Sequence, residues 1–348
     1  MRPTTKDLAV AAGVSLASVD RVLNGRSGVR KKTVDAVNEA IERIGFVRNL
    51  SAANLAKSKQ YRFLFLLPRH GDLFVSELSS HIEEADAALK AEGMDLRYQS
   101  ISQNDPHEIT RALDAIIPED VDGIALMAPE SPQVRDAAIR LKERGIQVVH
   151  LISGQQDMSG LDFVGIDNRA AGATAARLIG RFCTGRQGKV MIVTETMNAR
   201  DSLERRFGLD EVLTTDFPNL TALPSMETYG DKERAKSVIA TAIKKNADIV
   251  AIYIMSSEAR APLAGLSDTK LQSKPIILAH ELTDRTRKGL MSGELDALIV
   301  QNPGHLVRSA VRLLRAGVDG RSVLKSQEQI RIEILVKENL LSEVGPDT

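Results

Sequence analysis

The sequence predicts two folds in one chain: an all-α helix-turn-helix head, then an α/β body of two Rossmann-like lobes. Three observations carry this. The first sixty residues have the spacing of two short helices joined by a glycine turn, with a third helix behind them. From "YRFLFLLP" onward, short apolar runs alternate with amphipathic helical patterns, the signature of repeated βαβ units and parallel sheets covered on both faces. That alternation runs for about 270 residues, too long for one comfortable sheet, so two lobes with a cleft between them follow.

In the head, "TTKDLAVAAGVSLASVDRVLN" places Leu8, Ala12, Val14, Val19 and Val22 where two helices bury a shared face. Ala9 is small enough for close approach, Gly13 allows the positive φ of the turn, and Ser15 is a candidate N-cap. A third helix is expected from about Lys31 to Ile44, with Val34, Val37, Ile41 and Ile44 as its apolar stripe and Gly45 as its C-cap. The segment "FVRNLSAANLAKSKQ" then reads as a short helix leading to the body.

In the body, strands are expected at Phe63–Leu67, Met94–Gln99, Gly123–Met127, Gln147–Leu151 and Phe163–Ile166. Further strands are expected at Val190–Thr194, Ile249–Ile254, Ile276–Ala279 and Leu298–Val300. Segments such as "FVSELSSHIEEADAALKAEG", "PQVRDAAIRLKERG" and "DKERAKSVIATAIKKNA" supply the helices between them. Ligands of such sheets bind at the carboxyl ends of strands.

The formal charge is zero, from 46 Lys/Arg and 46 Asp/Glu among 348 residues. Residues 1–62 hold 12 basic and 5 acidic side chains, however, and the remainder 34 and 41. A head of +7 on a body of −7 predicts a local polyanion site. The single cysteine, Cys183, excludes an intrachain disulfide and fits a reducing compartment; at the end of "AAGATAARLIGRFC" it reads as a small core residue. The start "MRPTTKDLAV" has no apolar signal region and no run of 18 apolar residues occurs, so a soluble cytoplasmic protein without a membrane partner is expected. With no Trp and 3% aromatic residues, stacking on single-stranded nucleic acid is disfavoured.

Catalytic chemistry finds no support. The six histidines show no H-x-x-x-H spacing and no C-x-x-C occurs, so no metal is expected. Walker, G-x-G-x-x-G and G-x-S-x-G motifs are missing, so neither a cofactor nor an enzyme is expected. His280–Glu281 resembles an acid–base pair, but a binding carboxylate at a strand end explains it more cheaply.

Residues 4–60 resemble the DNA-binding domain and hinge of the LacI/GalR family of bacterial transcription regulators. Thr4, Asp7, Leu8, Ala9, Ala12, Gly13, Val14 and Ser15 stand in the family's opening pattern, "RVLNG" matches its Arg-Val-(Leu/Val)-Asn, and "NLSAANLA" matches its hinge. The resemblance implies that Leu16 and Ala17 touch base edges and that Arg21 pairs with guanine. It assigns Thr4, Ser15, Ser18 and Asn24 mainly to phosphates. In the hinge, Leu55 would be a minor-groove wedge, with Asn49 and Ala52 on the same segment. Asp20 stands where the family usually has Ser, and Arg30 where a Ser often caps the third helix. Asp20 could read a cytosine amine, or pair with Arg30 or Arg21; pairing is favoured because salt bridges are the commoner arrangement.

The body resembles periplasmic sugar-binding proteins, as that family's effector domain does, through "VGIDNRAAGATAARLI", "SLERRFGL", "ILAHELTD" and "LDALIVQNPGHLVRSAVRLL". The implied effector-binding positions are Asp72, Phe74, Ser153, Arg205, Ile254, Glu281 and Gln301. Ile254 replaces the family's Asn, and Ser153 stands near a frequent Asp, so a carboxylate or nucleobase-like effector is the alternative to a sugar. The implied division is 1–46 for the head, 47–60 for the hinge and 61–348 for the effector and dimerisation body. Lobe 1 is expected at about 61–165 plus 298–325, and lobe 2 at about 166–297 plus 326–348. The implied partners are palindromic double-stranded operator DNA, a small-molecule effector and a second copy of the chain. The end "ENLLSEVGPDT" carries no leucine heptads, so a homodimer is expected. A plain solute-binding protein and an enzyme on the same body are the competing classes. Inducer and corepressor both remain open.

Overall fold

A computed structural model of the chain describes residues 3–23, 28–46, 60–69, 73–102, 105–154, 162–257, 259–267 and 274–340. Two compact units, Met1–Lys59 and Gln60–Thr348, make it up.

The first unit contains α1 (Thr5–Ala12), α2 (Leu16–Leu23) and α3 (Lys31–Ile44). Thr4 starts α1 with a capping box: its oxygen accepts the Asp7 amide at 3.3 Å, and the Asp7 carboxylate accepts from the Thr4 amide and hydroxyl at 2.7 Å each. These bonds hold the Asp7 carboxyl below the usual carboxylate range. Gly13 ends α1 at φ 64°, and a Cβ there would meet no atom within 4 Å, so backbone geometry alone calls for glycine. Ser15 caps α2 by accepting the Ser18 amide at 3.1 Å. Leu8, Val19, Val37, Ala40 and Phe46 close the core of the unit, and Val14, Val22, Ile41 and Ile44 pack around them. Arg30 occupies the N-cap of α3 without a side-chain capping bond. Arg43 of α3 reaches back to the Ala11 carbonyl.

In the second unit, β1 (Tyr61–Pro68), β2 (Met94–Ile101), β3 (Gly123–Leu126), β4 (Gln147–Leu151) and β5 (Asp162–Val164) form a parallel sheet in the order β2-β1-β3-β4-β5. Helices α4 (Leu73–Leu89), α5 (Pro106–Asp114) and α6 (Pro132–Glu143) make its crossovers. After α7 (Asn168–Phe182) the second sheet begins. Its strands are β6 (Gly188–Thr194), β7 (Leu220–Ala222), β8 (Met226–Glu227), β9 (Ile249–Ile254), β10 (Ile276–His280), β11 (Ala297–Val300) and β12 (Glu333–Leu335). Helices α8 (Arg200–Asp216), α9 (Lys232–Lys245), α10 (Arg260–Ser267) and α11 (Asp284–Ser292) lie between them. The order is β12-β11-β10-β9-β6-β7, with β8 also on β6 and β12 antiparallel. Counted from β6 with β8 left aside, this is the first lobe's strand order with one antiparallel edge strand added. Each sheet therefore reverses direction between its first and third strands.

The chain crosses between lobes after β5, after β11 and before β12. Helix α12 (Pro303–Val318) returns to pack on β3, β4 and α4, and α13 (Lys325–Glu328) leads towards β12. This corrects the lobe boundary expected at 298. Leu298–Val300 pairs in the second sheet, where all four β11 side chains are buried, and the return starts at Asn302, which caps α12 by accepting the His305 amide at 2.8 Å. Strands β7, β8 and β12 are three residues long or fewer, too short to show as apolar runs.

One apolar core runs through both lobes, from Phe63, Phe65 and Leu78 to Ala175, Val190 and Tyr253, and takes in Cys183. Separate clusters cover the outer face of each sheet. Helices α7 and α8 touch backbone to backbone. A Cβ on Gly172 would overlap the Arg205 carbonyl, and one on Gly208 the Arg169 carbonyl. No helix among the described residues is long and apolar enough to cross a membrane.

Candidate nucleic-acid interface and effector cleft

On α2, Leu16, Ala17, Asp20 and Arg21 are all exposed, while Val19 is fully buried. Offsets of zero, one, four and five place the four on one helix face. Leu16, 46% exposed, is an apolar side chain held in solvent at the start of that face. Ser15 and Ser18 share a hydrogen bond at 2.9 Å, and Thr4 is engaged with Asp7, so three of the expected phosphate contacts also hold helix ends. Asn24, Asn49, Ala52, Leu55 and Asp72 lie outside the described residues.

In the body, strand ends from both lobes meet around a cleft with about 660 Å³ of empty space, part of it open to solvent. From the first lobe come Pro68 at the end of β1, Met127, Ala128 and Pro129 after β3, and Ser153 after β4. From the second come Glu195 and Thr196 after β6, Asp201 and Ser202 in the first turn of α8, and Ser256 and Ser257 after β9. Both groups sit at the switch points of their sheets, where an open α/β sheet binds ligands. The first wall is mainly apolar and the second is hydroxyl- and carboxylate-bearing.

Backbone strain aims two of these strand ends. Ile152 has φ 66° and Glu281 has φ 62°, directly after β4 and β10 respectively. A left-handed conformation costs a non-glycine residue about 1–3 kcal/mol and persists only where surrounding structure enforces it. Beyond Ile152, Ser153 turns into the cleft. It is 5% exposed, and its hydroxyl has no hydrogen-bond partner among the described residues. Beyond His280, the Glu281 carboxylate accepts the Gln301 side-chain amide at 2.8 Å and its backbone amide at 3.3 Å.

Arg205 lies behind the cleft wall at 1% exposure. Its guanidinium donates to Asn168 Oδ1 at 2.9 Å and to the Met255 carbonyl at 2.6 Å, and stands 3.7 Å from Asp201 Oδ2. It thus positions Asp201, one turn earlier on α8, which does line the cleft. Beside it, the buried Tyr253 hydroxyl meets His280 Nε2 at 2.6 Å. Burial, with the nearby Arg205 charge, holds His280 well below the usual histidine range, and burial alone brings His150 down to about 4. At the edge of the cleft Arg200 pairs with Glu204 on its own helix at 2.7 Å and with Glu130 of the other lobe at 3.5 Å.

Of the seven expected effector positions, Ser153 lines the cleft. Phe74 is buried in the core beside Val75, which lines it. Arg205, Glu281 and Gln301 form the polar layer behind. Ile254 is corrected: it is fully buried with Met191, Val193 and Leu263 in the core of the second lobe, because strand alternation turns it away from the face of Tyr253. Sequence reasoning missed Glu195, Thr196, Asp201, Ser202, Ser256 and Ser257. Their signal is topological: they follow β6 and β9, the neighbouring strands between which the strand order of the second sheet reverses. Among the described residues no group of three or more His, Cys, Asp or Glu could hold a metal ion.

A helix-turn-helix unit and a two-lobed unit with a cleft at its switch points define a DNA-binding protein with a small-molecule receptor fold. Residues 4–49 match the model of bacterial regulatory proteins of the lacI family, and residues 63–322 match the periplasmic binding protein domain. Catabolite control protein A of Staphylococcus xylosus is 27% identical over 259 residues, covering 70% of this chain and 71% of that one. The fold is shared with an ABC transporter solute-binding protein from Burkholderia graminis, solved with D-arabinose, at a TM-score of 0.71 and 23% identity over 81% of this chain and 97% of that one. It is likewise shared with GanP, a glucose-galactose binding protein from Geobacillus stearothermophilus, at 0.71 and 21% over 81% and 99%. The chain belongs to the lacI family of bacterial regulatory proteins, a non-enzymatic family of DNA-binding transcription regulators, and carries its periplasmic-binding-protein body.

Proposed function

We propose that two copies of this chain bind a palindromic operator, as a repressor, and that a sugar or sugar-like effector in the cleft sets the affinity. The observation that carries the DNA half is the single exposed face of α2, where Leu16, Ala17, Asp20 and Arg21 stand together. Arg21 takes guanine O6 and N7, and Leu16 and Ala17 pack on thymine methyls. The basic excess of residues 1–62 supplies the salt-dependent phosphate attraction. Asn24, Asn49, Ala52 and Leu55 complete the contact set by family resemblance, with Leu55 as the minor-groove wedge.

The effector half is supported by a cleft at the strand ends whose second wall is rich in hydroxyls and carboxylates, the groups that recognise a polyol. The sugar-binding neighbours of the same fold agree with it. Effector and operator favour different arrangements of the two lobes, so each changes the affinity of the other by the same factor. Fluorescence anisotropy with palindromic duplexes tests the DNA half. The expected result is dimeric binding with a steep salt slope, and Arg21→Ala costing about 1–3 kcal/mol only where guanine stands at its position. Monomeric binding, equal on every duplex, would refute it.

A further inference from the structure

We infer that Asn168 is a positioning residue of the effector cleft: its buried amide ties the strained strand end that carries Ser153, in one lobe, to the arginine that holds Asp201, in the other. The inference rests on the reading of the cleft as the effector site. Asn168 is the first residue of α7, directly after the chain first crosses between lobes. It is 2% exposed, so solvent does not compete for its bonds. Its Nδ2 donates to the Ile152 carbonyl of the first lobe at 3.4 Å, and its Oδ1 accepts from Arg205 Nε of the second at 2.9 Å. A carboxamide has a donor end and an acceptor end, and here each end serves a different lobe.

Both partners act on the cleft walls. Ile152, at φ 66°, is the centre of a three-residue turn in which the Ser153 amide donates to the Leu151 carbonyl at 2.7 Å. Turns of this hand are rare and strained, and persist only where surrounding structure enforces them. Ser153, the next residue, lines the first wall. Arg205 donates to the Met255 carbonyl at 2.6 Å, directly before Ser256, and stands 3.7 Å from Asp201. Ser256 and Asp201 line the second wall. Gly172, one turn along α7, lets the Arg205 backbone approach, since a Cβ there would overlap its carbonyl. Residues of both walls are thus set by one side chain that stands behind them.

The test is hydrogen exchange of the full-length protein, read by mass spectrometry at segments 148–154, 198–206 and 252–257. Asn168→Asp keeps the acceptor for Arg205 and removes the donor to Ile152. Asn168→Ser reaches neither partner and adds no buried charge. The expected result is exchange about tenfold or more faster at 148–154 alone in Asn168→Asp, and at all three segments in Asn168→Ser. Ile179→Val, a core truncation on the same helix, controls for lost stability and should leave the three segments in native proportion. Native exchange at 148–154 in both Asn168 variants, or an equal rise at all three segments in Asn168→Asp, overturns the joint. So does a rise at 148–154 alone in Ile179→Val, or failure of both Asn168 variants to fold by circular dichroism. Calorimetry with D-glucose, D-galactose and D-arabinose reads the effector side. A sugar that the native protein binds should lose about fivefold or more in affinity in Asn168→Asp, and an unchanged affinity overturns the positioning role. If none of the three binds the native protein, the sugar reading falls, while the exchange pattern still decides the joint.

Discussion

Gly13 and Gly208 are both glycines for a reason, but the reasons differ, and so do the costs of replacing them. Gly13 has open space around it, so Gly13→Ala carries only the left-handed backbone penalty of about 1–2 kcal/mol. A Cβ on Gly208 would collide with the Arg169 backbone, forcing α7 and α8 apart and displacing Arg205. Gly208→Ala should therefore cost more, about 3 kcal/mol, and weaken effector binding as well, both readable by urea denaturation and calorimetry. His150 makes a second prediction. Both ring nitrogens are buried without partners among the described residues, and burial holds the folded group at about 4 against 6.5 in the unfolded chain. The unfolded state therefore takes up the proton first as pH falls. Stability from this group is complete above about pH 6.5 and declines by about 3 kcal/mol as pH falls through 4. His150→Leu should flatten the melting temperature across that window, and an unchanged slope would remove His150 from the account.

The elements explain how these residues come to face their targets. Helix α2 is only eight residues long, yet its caps and the single buried Val19 settle which face is free. Asp20 shares that exposed face with Arg21, so an acid stands inside the face proposed to meet DNA. Asp20→Ala separates the two roles open to it. A loss confined to operators with cytosine at one position marks direct reading, and a change equal on all operators marks pairing with a cation. The cap residues, the turn glycine and the stripe of α3 were legible in the sequence because each depends on neighbours within four positions. The roles of Glu195, Asp201 and Ser256 were not, because a polar residue after a strand looks alike at every strand end until strand order distinguishes the switch point.

At the scale of the whole molecule, the two lobes are joined by three crossings and meet at an ion pair beside the cleft. Arg200 and Glu130 belong to different lobes, and both are partly exposed, so their pairing is worth at most about 1 kcal/mol. Its value lies in being made only when the lobes are close. Glu130→Gln should weaken effector binding by about fivefold or less in low salt, and added salt should erase the difference. An effect that persists at high salt would mean that Glu130 acts otherwise than through charge. The opposite charges of residues 1–62 and the remainder act at the same scale, confining attraction for DNA to the head.

Periodicity, turn chemistry and charge distribution were enough for a helix-turn-helix head and a doubled α/β body, and the resemblance of the opening pattern, "RVLNG" and the hinge pointed to a family of DNA-binding regulators, since each of those signals is written in contiguous residues. Three things waited for the tertiary structure: that β11 belongs to the second sheet, that Ile254 faces the core, and that Arg205 stands behind the cleft wall with Asp201 in front. These depend on which strands lie side by side and which way each side chain turns. Strand pairings and side-chain contacts between residues tens of positions apart decide both.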